Sequence, residues 1–209
     1  TSLALCAAMA SVVVWAAAAW RWGIPTSESH ALVAGLSGAA VALEGSASCL
    51  HGQRWGAVLL GLVLSTALGF GAGWWVEQKV QRWSWSPRIF QMLQIPGAAG
   101  TAFLHGAQDG QKFLGVFLLG AALAQGRQGD GIAQVPVWLM VLCAFVMALG
   151  TGVGGRRIID TVGHEMVTLR PREGFAADFA GILCLVAATS LGLPVSTTHT
   201  RTAALLGVG

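Results

Sequence analysis

Long apolar runs decide which folds are open to this chain. Five stretches are mainly apolar: residues 3–20, 55–76, 97–125, 135–149 and 175–191. A helix needs about 20 residues to cross the apolar core of a bilayer, and most of these stretches reach or approach that length. Charged residues make up only 10% of the chain, whereas a soluble domain carries about 25%. The chain is therefore predicted to be an all-α integral membrane protein.

Basic residues between the apolar stretches predict the orientation of the chain, because lysine and arginine collect on the cytoplasmic side of membrane proteins. Lys79, Arg82 and Arg88 follow the second stretch. Four more arginines precede the fifth: Arg156, Arg157, Arg170 and Arg172. Both loops are predicted to be cytoplasmic, and the connections at residues 44–54 and 126–134 are predicted to face the other side.

A short motif occurs twice. The segments GIPTSESH, from Gly23, and GLPVSTTH, from Gly192, align without a gap. In each copy a proline suited to ending or opening a helix is followed by a serine suited to N-capping: Pro25 with Ser27, and Pro194 with Ser196. Each copy is predicted to be the tip of a hairpin that enters the membrane and returns. The loop charges place the two hairpins on opposite faces, as in inverted-repeat transporters with broken helices.

The inverted repeat predicts how the chain is organised. Residues 1–76 would form the remainder of the first repeat, with a hairpin at about 3–43 and a transmembrane helix at 55–76. A cytoplasmic loop would follow at 77–96. The second repeat, residues 97–209, would contain transmembrane helices at 97–125 and 135–150, a cytoplasmic loop at 155–173 and a hairpin at about 174–209.

The start of a helix can bind an anion, because its first N–H groups lack helical partners and its dipole adds about half a positive charge. Hydroxyl side chains near the two tips would add hydrogen-bond donors without adding charge. The candidate anion ligands are Ser27, Ser29, Ser196, Thr197 and Thr198. The alternative is that these residues only cap their helices. This alternative is less favoured because the motif occurs twice, in opposite predicted orientations.

The third apolar stretch contains the polar segment FLHGAQDGQKFLG at residues 103–115. His105, Gln108, Asp109 and Lys112 are spaced so that they cluster along one face of a helix. An Asp or Lys at the centre of a membrane costs roughly 2.5–3.5 kcal/mol, so such residues are functional candidates. A structural ion pair between Asp109 and Lys112 is the alternative.

Together these motifs resemble the inorganic phosphate transporter (PiT) family of symporters, of the bacterial low-affinity permease type. The resemblance rests on GIPTSESHALVAGLSG, HGAQDGQK, MALGTGVGGRRIIDTVGHEMVTLRPREGFAADFAG and GLPVSTTH. It implies transport of inorganic phosphate, or of a similar anion such as sulfate, by a protein that is not an enzyme and needs no cofactor or resident metal. Family members carry two Asn-Asp signatures, and Gln108 with Asp109 matches the second. The first would precede Thr1 and the closing helix would follow Gly209, so a fragment is expected.

Departures from the family pattern bear on the coupling ion. Gln108 replaces the usual Asn, and Lys112 stands where sodium-coupled relatives tend to carry Asn. Because a second cation near Lys112 would be repelled, the resemblance implies proton coupling, with a neutral metal-phosphate complex as one form of the substrate. The candidate ion-coupling residues are Asp109, Lys112, Glu28 and Asp178. Residues that support the motifs are Pro25, His30, Pro194, His199 and His105.

Two of these acids have more than one interpretation. Glu28 stands opposite Thr197 of the other motif, so it either points away from the anion or takes part in proton handling. Asp178 stands where the family also has an acid, and it either helps to bind a cation or complements a helix N-terminus. The sequence does not choose in either case.

Three kinds of function are compatible with these residues. The favoured one is a phosphate symporter, with sodium coupling or sulfate transport as variants. An intramembrane hydrolase would use Ser196 as nucleophile and His199 as base, but the Gly-x-Ser-x-Gly elbow is missing. A purely structural membrane subunit would leave Asp109 and Lys112 unexplained. The expected location is the cell membrane, the inner membrane in bacteria. The expected partners are phosphate or sulfate, protons and lipid, without nucleic acid, and a homo-oligomer is left open.

Overall fold

The computed structural model of the protein describes residues 1–126, 135–161, 169–191 and 195–209. The α-helices are α1 (Ser2–Trp22), α2 (Glu28–Glu44), α3 (Gly52–Val80), α4 (Pro87–Ala124), α5 (Val137–Asp160), α6 (Pro171–Ser190) and α7 (Thr197–Val208). A short 3₁₀ turn, Ala47–Cys49, lies between α2 and α3. Regular structure within the described ranges is entirely helical, which confirms the predicted all-α class.

Among the described residues, four helices are long and apolar enough to cross a membrane: α1, α3, α5 and α6. Their surfaces expose large apolar side chains, such as Val13, Val63 and Val153, and lipid covers such surfaces in a membrane protein. The chain is therefore a multi-pass membrane protein. α4 does not meet the same measure, because polar residues around Asp109 interrupt it, and the predicted crossing at 97–125 stays a prediction.

Two helix pairs occupy the residues of the predicted hairpins: α1 packs against α2, and α6 packs against α7. α1 ends at Trp22, and its C-cap Gly23 has a φ of 69° and donates its N–H to the carbonyls of Ala19 and Trp20. Glycine adopts this left-handed conformation without strain. In α2, a Cβ at Gly35 would lie 2.8 Å from Ser11 Oγ and 3.0 Å from the carbonyl oxygen of Ala8, so the two helices pack closely there. Entry of the pairs from opposite membrane faces stays a prediction.

Helices α3 and α4 cover most of the segment 77–96 that hydropathy assigns to a loop. α3 continues to Val80 and α4 begins at Pro87, and α4 runs on through Pro96. The difference arises because polar residues lower hydropathy without preventing a helix, and a proline within a membrane helix is tolerated where neighbouring groups satisfy the backbone. α5 likewise continues to Asp160, beyond the predicted end at residue 150.

The helices form two compact units. The first unit consists of Thr1–Gly52 and Gly106–Arg157, and the second consists of Gln53–His105 and Ile158–Gly209. The units divide at the start of α3, within α4 and near the end of α5. Each unit thus contains residues of both predicted sequence repeats, so the compact units do not coincide with 1–76 and 97–209.

In the first unit, contacts with α5 fix the end of α1. Trp20 Nε1 donates a hydrogen bond to the carbonyl of Gly154 at 3.1 Å, and Arg157 donates to the carbonyl of Arg21 at 2.8 Å. The Arg157 guanidinium also lies over the Trp20 ring, 5.4 Å from its centroid. A cation at the last carbonyls of a helix complements the helix dipole. The first motif begins directly after this fixed end.

In the second unit, an apolar core joins α3, α4, α6 and α7. Its buried members are Val76, Val80, Phe90, Ala176, Ala177, Ala180, Ala204 and Val208. Beside it, Arg172 at the start of α6 pairs with Glu77 of α3 at 2.8 Å. The start of α6, the helix that leads to the second motif, is therefore fastened to α3.

Candidate functional site

The first motif forms the N-terminus of α2. Ser27 has an extended backbone (φ −98°, ψ 112°) and is the N-cap of the helix. Its Oγ accepts the backbone N–H of His30 at 3.4 Å, and His30 Nδ1 lies 2.8 Å from the same oxygen. Ser27 is buried, so its hydroxyl serves the start of the helix.

The second motif repeats this geometry at the N-terminus of α7. Ser196 is the N-cap (φ −87°, ψ 120°), and its Oγ accepts the N–H of His199 at 3.3 Å. His199 Nδ1 lies 2.9 Å from that oxygen, and Ser196 is only 2% exposed. The repeat in the sequence is thus a repeat of one cap, in which a serine binds both the backbone and the ring of the histidine three residues later. Pro25 lies before the first cap, whereas Pro194 lies outside the described residues.

The first N–H groups of each helix lie at these tips. The carbonyls of Ser27 and Ser196 accept the first backbone hydrogen bonds of α2 and α7. In each helix, two backbone N–H groups come before the ones that the serine side chain and carbonyl accept. These two groups point out of the start of the helix. They belong to Glu28 and Ser29 in α2, and to Thr197 and Thr198 in α7. Ser29 and Thr198 are partly exposed, whereas Thr197 is buried.

In the first unit, the polar segment of α4 meets the start of α2. Lys112 Nζ donates to Asp109 Oδ1 at 2.7 Å and to Ser29 Oγ at 2.6 Å. Asp109 is only 5% exposed. Glu28, next to Ser29, is close enough to Asp109 for their negative charges to repel each other. The ion pair considered above as a structural feature is present, and through Ser29 it reaches the first motif as well.

The other two polar residues of this segment fall on either side of the boundary between the units. Gln108 belongs to the first unit, with Asp109 and Lys112, whereas His105 belongs to the second. Both side chains are half-buried. Within the first unit, the structure thus brings Asp109, Lys112, Ser29 and Glu28 together.

Asp178 of α6 faces Arg201 of α7 in the second unit. The Arg201 guanidinium lies 3.6 Å from Asp178 Oδ1, and both side chains are partly buried. Asp178 is therefore paired with a cation of the chain itself, a partner that neither interpretation of the sequence included. Within the described residues, no group of three or more His, Cys, Asp or Glu side chains could hold a metal ion.

Two residues near the second tip are not among those predicted from the sequence. Arg201 is the charged residue of an otherwise uncharged α7, and a charge within an apolar helix marks a functional candidate, as it does for Lys112 in α4. Ser65 of α3 is 1% exposed and its Oγ accepts the backbone N–H of Ser196 at 2.8 Å. Its only sequence signal is a polar residue within an apolar helix, because its partner lies far away in the chain.

Comparison with known proteins supplies the family. The sequence profile of the phosphate transporter family matches residues 1–86 and 76–209. A probable low-affinity inorganic phosphate transporter of Bacillus subtilis is 34% identical to this chain. The alignment covers 100% of this chain and 63% of the Bacillus subtilis protein. A protein of the same description from Rhizobium meliloti is 37% identical, and the alignment covers 97% of this chain and 62% of that protein. Another, from Mycobacterium leprae, is 34% identical, and the alignment covers 94% of this chain and 49% of that protein.

A solved structure, described as the sodium-dependent phosphate transporter, has a similar fold. It superposes with a TM-score of 0.80 at 20% identity and covers 99% of this chain and 69% of its own length. At this identity the likeness concerns the fold. These relatives are named as transporters and not as enzymes, which disfavours a hydrolase as the explanation for the Ser–His contacts.

The match extends over nearly all of this chain but over only part of the relatives. The chain spans about half to two thirds of the length of the curated relatives named above. The profile match and the identity above 30% agree with the paired motifs and with the polar segment of α4. The chain belongs to the phosphate transporter family.

Proposed function

We propose that this protein carries inorganic phosphate across the membrane by symport with protons. The observation that carries the proposal is the contact of Lys112 with both Asp109 and Ser29. It places a positive charge and a hydroxyl at the N-terminus of α2, in the unit that also holds the second-signature residues Gln108 and Asp109. Phosphate transport is further supported by the family and by the descriptions of the relatives.

Ser29 is the hydroxyl best suited to donate to the anion in the first unit. Its oxygen accepts a hydrogen bond from Lys112, so its own O–H can donate to another acceptor. The N–H groups of Glu28 and Ser29 point out of the same helix start, where an anion is favoured. The caps Ser27 and Ser196 would act on the anion mainly by fixing those N–H groups. Thr198 is the equivalent of Ser29 in the second unit, with buried Thr197 beside it. Gln108 can add an amide N–H.

Lys112 favours protons over sodium as the coupling ion. Its ammonium already lies 2.7 Å from the buried Asp109 carboxylate, where a cation would otherwise bind. A sodium ion at the same place would meet a like charge in a medium of low dielectric constant. In the second unit Asp178 is paired with Arg201 in a comparable way. Glu28 is the remaining acid close to the tip of the first motif, and we propose that it takes up the proton.

The test is uptake of labelled phosphate into proteoliposomes that contain the full-length transporter. A pH gradient without sodium should drive accumulation, and a sodium gradient at constant pH should not. Lys112→Asn should shift the balance towards sodium, because it removes the ammonium and supplies an amide oxygen. Strong dependence of the unmutated protein on sodium, with no response to the pH gradient, would contradict proton coupling and favour a sodium-coupled permease.

The same vesicles can define the transported anion. An excess of unlabelled sulfate should leave labelled phosphate uptake nearly unchanged if phosphate is the substrate. Uptake that rises with added magnesium, together with entry of magnesium itself, would identify a metal-phosphate complex as the transported form. Complete competition by sulfate would show that the protein transports a broader class of tetrahedral anions and not phosphate alone.

A further inference from the structure

Small residues form a stripe along α3 at every fourth position: Gly61, Ser65, Gly69 and Gly73, all of them buried. Residues at this spacing share one face of a helix. α7 lies directly on that face. A Cβ at Gly69 would clash with the carbonyl of Thr200, and a Cβ at Gly73 would clash with the carbonyl of Ala204. The backbone of α3 thus touches the backbone of the helix that carries the second motif.

The contact is reciprocal. Gly207 of α7 faces the carbonyl of Phe70 in α3, where a Cβ would also clash. Glycines on both helices therefore fix the distance between α3 and α7 over the length of the contact. Sliding or rotation of α7 would bring a side chain against a backbone carbonyl.

Ser65 is the one member of the stripe that has a polar side chain. Its Oγ donates to the carbonyl of Gly61 at 2.6 Å and accepts the N–H of Ser196 at 2.8 Å. In a capping box, the N-cap N–H is accepted by a Glu or Gln at the third helical position. In α7 that position is His199, whose ring lies against Ser196 Oγ instead. Ser65 supplies the missing acceptor from another helix.

We infer that Ser65 is a positioning residue for the second tip. It holds the N-cap of α7 in place, so that the N–H groups of Thr197 and Thr198 keep a fixed direction. This inference rests on the proposed function where it concerns phosphate affinity. The hydrogen bond to Ser196 and its effect on the tip do not depend on that function.

The first test measures the tip itself, in the phosphate-free full-length transporter. Hydrogen–deuterium exchange followed by mass spectrometry should be about tenfold faster in the peptide around residues 195–200 of Ser65→Ala, the scale of one lost buried hydrogen bond. Ser65→Cys keeps the shape of the side chain, with a somewhat larger atom that is a weaker acceptor, and should give an intermediate rate. Thr66→Ala is the matched control, because Thr66 is exposed and its hydroxyl bonds within its own helix, to the carbonyl of Leu62.

Equal exchange in Ser65→Ala, Thr66→Ala and the unmutated protein would overturn the inference. Melting temperatures of the purified variants show whether each one is folded. If Ser65→Ala does not fold, the comparison of Ser65→Cys with Thr66→Ala decides in the same way.

The second test measures phosphate uptake. Ser65→Ala should raise the KM for phosphate about five- to tenfold, again the scale of one hydrogen bond, with little change in the maximal rate per folded transporter. Ser196→Ala separates the two hypotheses. If Ser196→Ala raises the KM and Ser65→Ala does not, the positioning inference fails and the proposed function stands. If neither raises it, the proposed role of this tip in phosphate binding fails, and exchange still decides whether Ser65 holds the tip.

Discussion

Ser27 and Ser196 each order the start of a helix with one side chain. Each serine accepts the N–H of the histidine three residues later and contacts the ring of that histidine. The helix start is thereby ordered in advance. In the proposed function this order favours affinity, because the N–H groups at the tip would lose little freedom on binding an anion.

Replacement of either cap should weaken phosphate uptake. Loss of an N-cap costs about 1 kcal/mol, so Ser27→Ala and Ser196→Ala should each raise the KM by about fivefold. The measurement is the concentration dependence of labelled phosphate uptake. Ser46→Ala is a suitable control, because Ser46 caps the exposed 3₁₀ turn in the same chemical way, with its Oγ accepting the N–H of Ser48. A cap variant with unchanged KM and maximal rate would exclude its tip from the site.

At the scale of the helix, the contact between α3 and α7 depends on which positions lack a side chain. Gly71 and Gly73 lie on the same helix, but a Cβ at Gly71 would meet nothing within 4 Å, whereas a Cβ at Gly73 would clash with α7. The two glycines are only two residues apart, but only Gly73 faces α7.

This difference predicts opposite effects of the same substitution. Gly73→Ala should lower the melting temperature of the purified transporter, since overpacking costs typically 1–3 kcal/mol. Gly71→Ala should leave it unchanged or raise it, because alanine is favoured over glycine within a helix by about 1 kcal/mol. Thermal unfolding of both variants in the same detergent is the measurement. An equal loss of stability in both would show that α7 does not press on α3 at Gly73.

Local patterns predicted the elements better than they predicted the contacts. The five apolar stretches predicted where α1, α3, α4, α5 and α6 lie, although α4 is not apolar enough to count as a candidate membrane span. The pattern Pro-x-Ser-x-x-His predicted the N-caps. These signals lie within a few residues of one another. The start of α4 was set too late, because Arg88 and Gln91 lower hydropathy without preventing a helix.

Contacts between distant segments are harder to predict from the sequence than contacts within one helix. Asp109 and Lys112 are one helical turn apart, so their pairing could be predicted. Ser65 and Ser196 lie on different helices, and nothing in either segment indicates the other. Arg201 gave a usable signal as a charge in an apolar helix, but its partner Asp178 could only be identified from the fold.

At the scale of the whole molecule, the orientation of the chain in the membrane is open to a direct test. Single cysteines at Ser46, Ser84 and Arg170, all at exposed positions, would be introduced after replacement of Cys6, Cys49, Cys143 and Cys184. The basic loops predict that Ser84 and Arg170 face the cytoplasm and that Ser46 faces the other side. A membrane-impermeant thiol reagent should therefore label Ser46→Cys in intact cells and the other two only after permeabilisation. Labelling of Ser46→Cys and Ser84→Cys from one face would contradict the inverted repeat.

The ammonium of Lys112 is a counter-ion that stays with the protein. A sodium ion bound beside Asp109 would cross the membrane with each phosphate, whereas a lysine fixed to α4 returns with the carrier. Moving one charge through 100 mV corresponds to about 2.3 kcal/mol, so the net charge that moves in each cycle decides how strongly the membrane voltage drives it. A phosphate dianion that crosses with two protons moves no net charge. Such a carrier would draw on the acidity outside the cell and would be indifferent to its voltage, so uptake could continue in a depolarised cell.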